Sequence, residues 1–262
     1  MDNNKDNQNS QEQSQKVNWV RIFDPINIIP AVLAIVLWSV ATYIKLKPLY
    51  VPPYDSLSQF PKKGKNTVQN SHVLIINFAL FIVLIIVLML LNFKCSKKIF
   101  RSFSPFTAIY AMVTAVCLTG FFTNILKMYV GRARPDMYAY CGSETAQYET
   151  CTNIKKSKQK GEFVSWPSGH SSNAMSGCLF ICLFLQKAIC VRKLWWSTFC
   201  SLFLFGAIYV ACSRIRDYRH HTDDILAGLF IGFLVTMFVW QKSYKDIFFK
   251  RRNEKEGTFM LL

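Results

Sequence analysis

Apolar and polar positions alternate in long blocks along this chain. Six stretches contain no Asp, Glu, Lys or Arg, and charged segments separate them. A transmembrane helix needs about 20 predominantly apolar residues, and each stretch has roughly that length. The pattern therefore predicts six transmembrane helices. The predicted spans are Ile26–Ile44, His72–Phe93, Ser102–Leu126, Phe163–Gln186, Leu194–Ser213 and Ile225–Gln241.

The composition agrees with a membrane protein. Hydrophobic residues make up 52% of the 262 residues, aromatic residues make up 15%, and the mean hydropathy is +0.20. Buried core helices of a soluble protein are the alternative for one such stretch, but six in this length leave little polar surface. The predicted fold class is all-α, a polytopic membrane protein with six transmembrane helices.

The chain divides by composition into three regions. Residues 1–25 are polar and rich in Asn and Gln, which predicts a disordered tail. Residues 26–241 hold the six spans, and residues 242–262 form a basic C-terminal tail. No apolar segment follows a basic start at the N-terminus, so we expect the first span, and no cleavable signal peptide, to direct the chain to the membrane.

The formal net charge is +16, which in a soluble protein would suggest nucleic acid as a partner. Here the Lys and Arg residues lie in short segments beside the spans, so anionic lipid head groups or a phosphorylated substrate are the expected partners. We expect no nucleic-acid binding, because the sequence contains no motif of a module that reads DNA or RNA.

The loops indicate which way the chain faces. Six spans put both termini on one side, and the 31 Lys and Arg residues divide almost evenly between the two sides. The two very short basic loops, "KCSKKIFR" and "KAICVRK", favour a cytoplasmic N-terminus. Cys141 and Cys151 then lie in a lumenal or extracellular loop, where a local disulfide is expected if the compartment is oxidising.

Three polar segments fall on the same side of the membrane in this topology. They are "KMYVGRARP" (residues 127–135), "WPSGHSS" (residues 166–172) and "SRIRDYRHHTDD" (residues 213–224). Six packed helices bring their same-side ends close together, so these segments are expected to converge on one pocket. A catalytic site needs such a convergence.

The first segment supplies cations. Lys127, Arg132 and Arg134 lie within eight residues. The planar donor fork of Arg and the compact charge of Lys both suit phosphate oxygens. Snorkelling at a span end is the alternative role for these side chains.

The second segment opens the fourth span. Pro167 and Ser168 begin a helix, whose first turn offers unpaired N–H groups to an anion, and Gly169 allows close backbone approach. His170 stands in that turn, where it could give or take a proton. An ordinary Ser cap with an incidental His is the alternative.

The third segment contains two adjacent histidines and a carboxylate. On a helix, Asp224 would share a face with His220 at i,i+4, and it is also within reach of His221 at i,i+3. A carboxylate on one ring nitrogen fixes the tautomer and leaves the other as a nucleophile or base. Spacing leaves open which histidine does the work. The rival is a metal site built from His220, His221, Asp223 and Asp224.

Together the three segments resemble the signature of the type 2 phosphatidic acid phosphatase (PAP2) superfamily, the lipid phosphate phosphatases. That signature reads Lys, six residues, Arg-Pro; then Pro-Ser-Gly-His; then Ser-Arg, five residues, His, three residues, Asp. This chain fills every position in order, from the third span to the sixth, about half of its length. The sequence is most similar to the diacylglycerol pyrophosphate phosphatase and lipid phosphate phosphatase branch.

The resemblance implies a helical core shared with the haloperoxidases and a role for each matching residue. His220 is implied as the nucleophile that forms a phosphohistidine, Asp224 as the residue that orients it, and His170 as the acid that protonates the leaving alcohol. The residues implied in phosphate binding are Lys127, Arg134, Ser168, Gly169 and Arg214. The implied activity is independent of Mg²⁺ and needs no metal and no cofactor.

The implied substrates are phosphatidic acid, lysophosphatidic acid or diacylglycerol pyrophosphate, held in the endoplasmic reticulum, vacuolar or lysosomal, or plasma membrane. Sphingoid-base and polyprenyl phosphates are alternative substrates. A phosphotransferase with the same site and a non-catalytic lipid-binding membrane protein are alternative functions, although the latter conflicts with the intact histidines and aspartate. The sequence leaves the oligomeric state open.

Overall fold

The computed structural model describes residues 25–64, 66–94, 100–152, 154–191 and 193–248. Within these ranges the chain folds into eight α-helices and one 3₁₀ turn, Ser56–Ser58. The helices are α1 (Pro25–Ala41), α2 (Asn70–Lys94), α3 (Pro105–Val130), α4 (Met137–Cys141), α5 (Lys156–Glu162), α6 (Gly169–Ala188), α7 (Leu194–Arg216) and α8 (Thr222–Ile247). The predicted all-α class is confirmed.

Six long helices stand where the six spans were predicted. Four of them, α2, α3, α7 and α8, are long and apolar enough to cross a membrane by length and composition. Of the other two, α1 is apolar but shorter, and α6 is not among the helices in the described ranges that meet both criteria. The chain is therefore a multi-pass membrane protein, and the count of six spans stays a prediction.

Several helix boundaries differ from the predicted span boundaries, and the largest differences are at the start of the fourth span and the end of the sixth. The fourth span was predicted to start at Phe163, but α6 starts only at Gly169. Pro167 lacks a backbone N–H, and Ser168 caps the helix with its side chain, so the helix begins after them. At the other end, α8 continues through Lys242 to Ile247. The predicted disordered tail and most of the predicted basic tail lie outside the described residues.

Helix α6 is the centre of the fold, since it packs against α2, α3, α7 and α8, while α1 packs on α3. Aromatic rings fill the core at the end of the bundle away from the three polar segments. Phe81 meets Phe180 and Phe184 edge to face, with ring centroids 5.5 and 5.1 Å apart, and Phe180 meets Trp240 in the same way. Such pairs stabilise the bundle beyond the area that they bury.

Two glycines let α8 touch α6 backbone to backbone. A Cβ atom added at Gly228 would lie 2.4 Å from the carbonyl oxygen of Ser168, and one at Gly232 would lie 2.4 Å from that of Ser172. The four-residue spacing puts both glycines on one face of α8, as in the small-residue contacts of membrane helices. The start of α8 is thereby held against the start of α6.

The segments between the helices cover the end of the bundle at which α6 and α8 begin. The Cys141–Cys151 disulfide, an open question from the sequence, is present, with Cα atoms 4.8 Å apart. Gly131 ends α3 in the left-handed conformation at φ 61°, and a Cβ there would lie 1.8 Å from the carbonyl oxygen of Lys47. Glycine is therefore required where the segment between α1 and α2 crosses the end of α3.

Candidate active site

The three polar segments meet around a cavity of about 430 Å³ at one end of the bundle. The C-terminal ends of α1 and α3 and the N-terminal end of α6 supply most of its wall. The lining residues are Trp38, Thr42, Gly120, Thr123, Asn124, Lys127, Arg134, Val164, Gly169, His170, Asn173 and His220. Five of the eight residues named in the sequence prediction are among them.

His220 lines the cavity from the loop just before α8. Because α8 begins at Thr222, His220 and Asp224 do not share a helix face as predicted. Their side chains still meet, with Nδ1 of His220 3.6 Å from Oδ2 of Asp224 and both residues buried. This is slightly longer than a hydrogen bond. The imidazole Nε2 is thus the nitrogen left for the cavity.

The environment of His220 favours its neutral form. Burial lowers the pKa of His220 well below the ordinary 6.5, although Asp224 opposes this, and the positive charges of Arg134 and Lys127 lower it further. A neutral imidazole at physiological pH has the free lone pair that a nucleophile needs.

His221 occupies a different position. Its Nδ1 lies 3.2 Å from Oδ2 of Asp224, and its Nε2 lies 3.1 Å from the carbonyl oxygen of Leu57. Its backbone N–H also donates to Asp224, which closes a capping box at the start of α8. Both ring nitrogens are therefore engaged, and His221 is not among the residues that line the cavity.

His170, in the first turn of α6, lines the same cavity as His220. The backbone of Val68 lies near its ring. Its Nε2 atom is buried, and no group in the described part of the chain hydrogen-bonds it. A buried polar atom without a protein partner in a cavity is suited to contact a bound molecule.

Two of the predicted cations, Lys127 and Arg134, line the cavity. Lys127 donates from Nζ to the carbonyl oxygen of Val164 at 2.8 Å, and Arg134 donates from Nε to that of Gly161 at 2.6 Å. In the ranges that the structure describes, Nη1 and Nη2 of Arg134 hydrogen-bond no other residue. Burial and the neighbouring Arg219 lower the pKa of Arg134 to about 10, so the guanidinium stays charged at neutral pH.

Gly169 and Ser168 differ in their position relative to the cavity. Gly169 lines the cavity beside Lys127. Ser168 is fully buried behind it, where its hydroxyl accepts from the N–H of Ser171 and its own N–H donates to the carbonyl oxygen of Asp224 at 2.8 Å. The backbone amide of Ser168 is therefore already used within the protein.

Arg214 is not among the residues that line the cavity. It is buried at the end of α7, and its Nη2 donates to Oδ2 of Asp217. Lys63 and Thr67 bind the same carboxylate at 2.5 and 2.7 Å. Burial raises the pKa of Asp217, but these hydrogen bonds and the charge of Arg214 outweigh it and lower the pKa overall.

Arg132 was grouped with Lys127 and Arg134 in the sequence, but it is not among the residues that line the cavity. It donates to the carboxylates of Asp223 and Asp224, the latter at 2.8 Å. Ser165 also donates to Asp224, at 2.5 Å. In the described ranges, the residues of the rival metal site do not form a cluster of His, Cys, Asp and Glu that could hold a metal ion.

The segment between α1 and α2, residues 42–69, is a part of the site that sequence reasoning missed. It touches the first and the third polar segments: Leu49 bonds Gly131, Phe60 bonds Pro135, Leu57 bonds His221, and Lys63 binds Asp217. The segment has neither the apolar periodicity nor a motif that would have indicated this. Its only signal is a cluster of lysines in "PKKGK".

A buried ion cluster was also missed. Arg219 donates to Asp136 at 2.8 Å and to both carboxylate oxygens of Glu162, at 3.1 and 3.0 Å. It stacks over the ring of Tyr140, 5.1 Å from the ring centroid. Since Arg134 bonds the backbone of Gly161 and Glu162, this cluster fixes Arg134 relative to the loop that holds His220.

Comparison with known proteins identifies relatives of this chain. The model of the PAP2 superfamily matches residues 108–248, more than half of the chain. The chain is 30% identical over 158 residues to diacylglycerol pyrophosphate phosphatase 1 of Saccharomyces cerevisiae, which covers 55% of this chain and 54% of that protein. It is 32% identical over 151 residues to lipid phosphate phosphatase 1 of Arabidopsis thaliana, covering 53% and 45%.

A mammalian relative is similarly close. The chain is 32% identical over 139 residues to phospholipid phosphatase 2 of Mus musculus, covering half of each protein. The chain thus spans about half the length of the curated relatives that it matches. No solved structure matches it.

Proposed function

The chain belongs to the PAP2 superfamily, and we propose that it is an integral-membrane lipid phosphate phosphatase. Relatives that bear the names of diacylglycerol pyrophosphate and lipid phosphate phosphatases support this choice. The proposed substrates are phosphatidic acid, lysophosphatidic acid and diacylglycerol pyrophosphate, which carry a terminal phosphate on a lipid.

The observation that carries the proposal is the convergence of two histidines and two cations on one cavity. His220 and His170 face it from different elements, and Lys127 and Arg134 bring positive charge to the same space. Phosphoryl transfer depends mainly on positioning and on neutralising the charge of the transferred group. This set of side chains can do both.

In the first step, the lone pair of His220 Nε2 attacks phosphorus, and the bond from phosphorus to the lipid oxygen breaks. The electron pair of that bond stays on the leaving oxygen, which takes a proton from His170 Nε2. Lys127 and Arg134 bind the non-bridging oxygens as charge builds on them. The products are the lipid alcohol and a phosphohistidine on His220.

In the second step, water attacks the phosphohistidine. His170, now neutral, takes a proton from this water, and the bond from phosphorus to His220 Nε2 breaks. Inorganic phosphate leaves, and His170 is again protonated for the next cycle. Asp224 stabilises the positive charge that His220 carries in both steps, as the carboxylate of a catalytic triad does.

The proposal includes independence of Mg²⁺ and a lumenal or extracellular site. The cations of the cavity take the charge-neutralising role that a metal plays in other phosphatases. The disulfide on the same end of the bundle supports an oxidising compartment. Protease outside sealed microsomes should spare Lys155–Lys160 and remove the C-terminal tail; cleavage at those lysines would reverse the orientation.

The test of the function is phosphate release by the purified protein in detergent, with EDTA present. The panel contains phosphatidic acid, lysophosphatidic acid, diacylglycerol pyrophosphate, a sphingoid-base phosphate and a polyprenyl phosphate. We expect the wild type to hydrolyse the glycerolipid phosphates. The His220→Ala variant should release no phosphate from them. Activity that EDTA abolishes and Mg²⁺ restores would contradict metal independence, and no release from any member would contradict the function.

A further inference from the structure

A second cavity, of about 340 Å³, lies among α2, α6 and α7. Its walls are almost entirely apolar and include Val73, Leu80, Cys178, Phe203, Gly206 and Val210. Helices α2 and α7 both pack against α6, so the cavity is a groove between these two helices on the surface of α6. We call it the α2–α7 groove.

The groove begins beside His170, the proposed general acid. Val68 lines the groove, and its backbone lies near the ring of His170. His170, Ala174 and Cys178 follow one another at intervals of four residues and share one face of α6. The first lines the catalytic cavity and the other two line the groove.

The boundary between the two spaces is polar. Asn77 lines the groove and donates from Nδ2 to the carbonyl oxygen of Asn173, which lines the catalytic cavity, at 3.1 Å. Gly177 makes room for this contact, because a Cβ there would lie 2.3 Å from the amide of Asn77. From Lys127 and Arg134 in the catalytic cavity, past the two amides, to the groove, the lining thus changes from charged to polar to apolar, which is the order of groups in a lipid phosphate.

The length of the groove matches one acyl chain. Along α7 it runs from Val210, near the site, to Phe199. At 1.5 Å per residue this is about 16 Å. Half of a bilayer's hydrocarbon core is about 15 Å thick, which is the depth that the chains of one leaflet span.

We propose that the α2–α7 groove binds one acyl chain of the lipid whose phosphate enters the catalytic cavity, an inference that rests on the proposed function. The acyl chain enters the groove from the surrounding lipid and not from water. The fit between the groove and the acyl chain, more than the burial of apolar surface, therefore determines the selectivity. The groove is therefore a site of chain-length specificity for this enzyme.

Gly206 offers a direct test. It lines the groove about 6 Å along α7 from Val210, and a Cβ at this position meets no atom within 4 Å. Gly206→Phe should fill the middle of the groove without striking the backbone of a neighbour. Ile208→Phe is the matched control, since Ile208 lies on the same helix, exposed and outside the groove.

The measurement is kcat/KM of each variant with dioleoyl and with dibutanoyl phosphatidic acid, in mixed micelles with EDTA. For Gly206→Phe we expect a loss of about 10-fold or more with the dioleoyl substrate, the scale on which an apolar pocket rejects a misfitting chain. The dibutanoyl substrate, whose chains end before Gly206, should be hydrolysed as by the wild type. Equal activity of Gly206→Phe and wild type on the long chain would overturn the proposal.

Photocrosslinking gives a readout that does not depend on turnover. A phosphatidic acid with a diazirine in one acyl chain is bound to the His220→Ala variant and irradiated. We expect label in peptides containing residues 199–210, reduced by excess unlabelled dioleoyl phosphatidic acid. If excess dioleoyl phosphatidic acid does not reduce the label, the label comes from contact with lipid around the protein. That result would overturn the groove assignment. A wild type that releases no phosphate from either substrate overturns the proposed function itself, and with it the groove.

Discussion

The backbone N–H of Ser168 donates a 2.8 Å hydrogen bond to the backbone carbonyl oxygen of Asp224. This bond joins the second polar segment to the third across the contact between α6 and α8. Both residues are completely buried. It places the helix end that carries His170 next to the loop that carries His220, so the two histidines reach one cavity.

The glycine contact that permits this bond should be sensitive to a single methyl group. In Gly228→Ala, the new Cβ would lie 2.4 Å from the carbonyl oxygen of Ser168, so α6 and α8 must separate. We expect the free energy of unfolding in detergent to fall by about 1–3 kcal/mol, the usual cost of overpacking, with a loss of activity. Gly64→Ala, where the methyl group meets no atom, should match the wild type. Equal stability of the two variants would contradict this contact.

The adjacent histidines should differ in phosphoenzyme formation. His220→Ala removes the proposed nucleophile, so neither phosphoenzyme nor free lipid alcohol should form. His221→Ala loses contacts with Asp224 and Leu57 but leaves Nε2 of His220 in place, so it should still be labelled. The measurement is acid-labile, base-stable ³²P incorporation during turnover. Label that persists in His220→Ala and vanishes in His221→Ala would show that the assignment is reversed.

His170 should matter less when the leaving group needs no proton. His170→Ala removes the general acid, and we expect kcat with phosphatidic acid to fall by about 10²–10⁴-fold. With p-nitrophenyl phosphate, whose leaving group is stable as an anion, the loss in the phosphorylation step should be much smaller. Burst kinetics separate this step from hydrolysis of the phosphoenzyme. Equal losses of burst rate on both substrates would argue against His170 as the acid.

The resemblance implies that Arg214 binds phosphate, although it does not line the cavity in this structure, and Asp217 should act on phosphate binding by positioning it. Lys63→Met and Asp217→Asn each remove part of the buried network that holds Arg214. Hydrogen bonds to charged groups are worth about 1.5–3 kcal/mol, so kcat/KM should fall on the order of 10–100-fold. Competitive inhibition by inorganic phosphate should weaken in parallel, which a mere loss of folded protein would not cause. Lys62→Met, at the neighbouring position, is the control. An unchanged inhibition constant in Asp217→Asn would exclude this positioning role.

The acid limb of the pH profile should lie below pH 6.5. Because burial lowers the pKa of His220, its neutral form, and with it nucleophilic attack, is present above that lowered pKa and lost only as the pH falls through it. The measurement is the burst rate of phosphoenzyme formation against pH, corrected for the substrate's own ionisation near pH 6, about the value for phosphate monoesters. Arg134→Gln removes a charge that lowers this pKa, so its limb should shift toward neutral pH. A limb for His220 at or above pH 6.5 in the wild type would contradict its burial.

The sequence alone determined the helical class and singled out the residues that are proposed to carry the chemistry. Both are local properties: a helix needs an uninterrupted apolar stretch of sufficient length, and the signature of the family is a set of residue types at short, fixed spacings. Ser168 as a helix cap followed from the same local chemistry, because a cap bonds the N–H of a residue three positions along. The start of α6 was predicted too early because an uncharged stretch need not be helical throughout.

Only the tertiary structure decided which of these residues share a partner. From spacing, His220 and His221 reach Asp224 equally well, but the carbonyl oxygen of Leu57, more than 160 positions away, engages the ring of His221 and leaves that of His220 to the cavity. In the same way, Lys63 reaches the Asp217 carboxylate that also binds Arg214. Arg132 binds Asp224 and does not join the other cations at the cavity. Such pairings depend on the approach of elements far apart in the chain, for which a local pattern carries no signal.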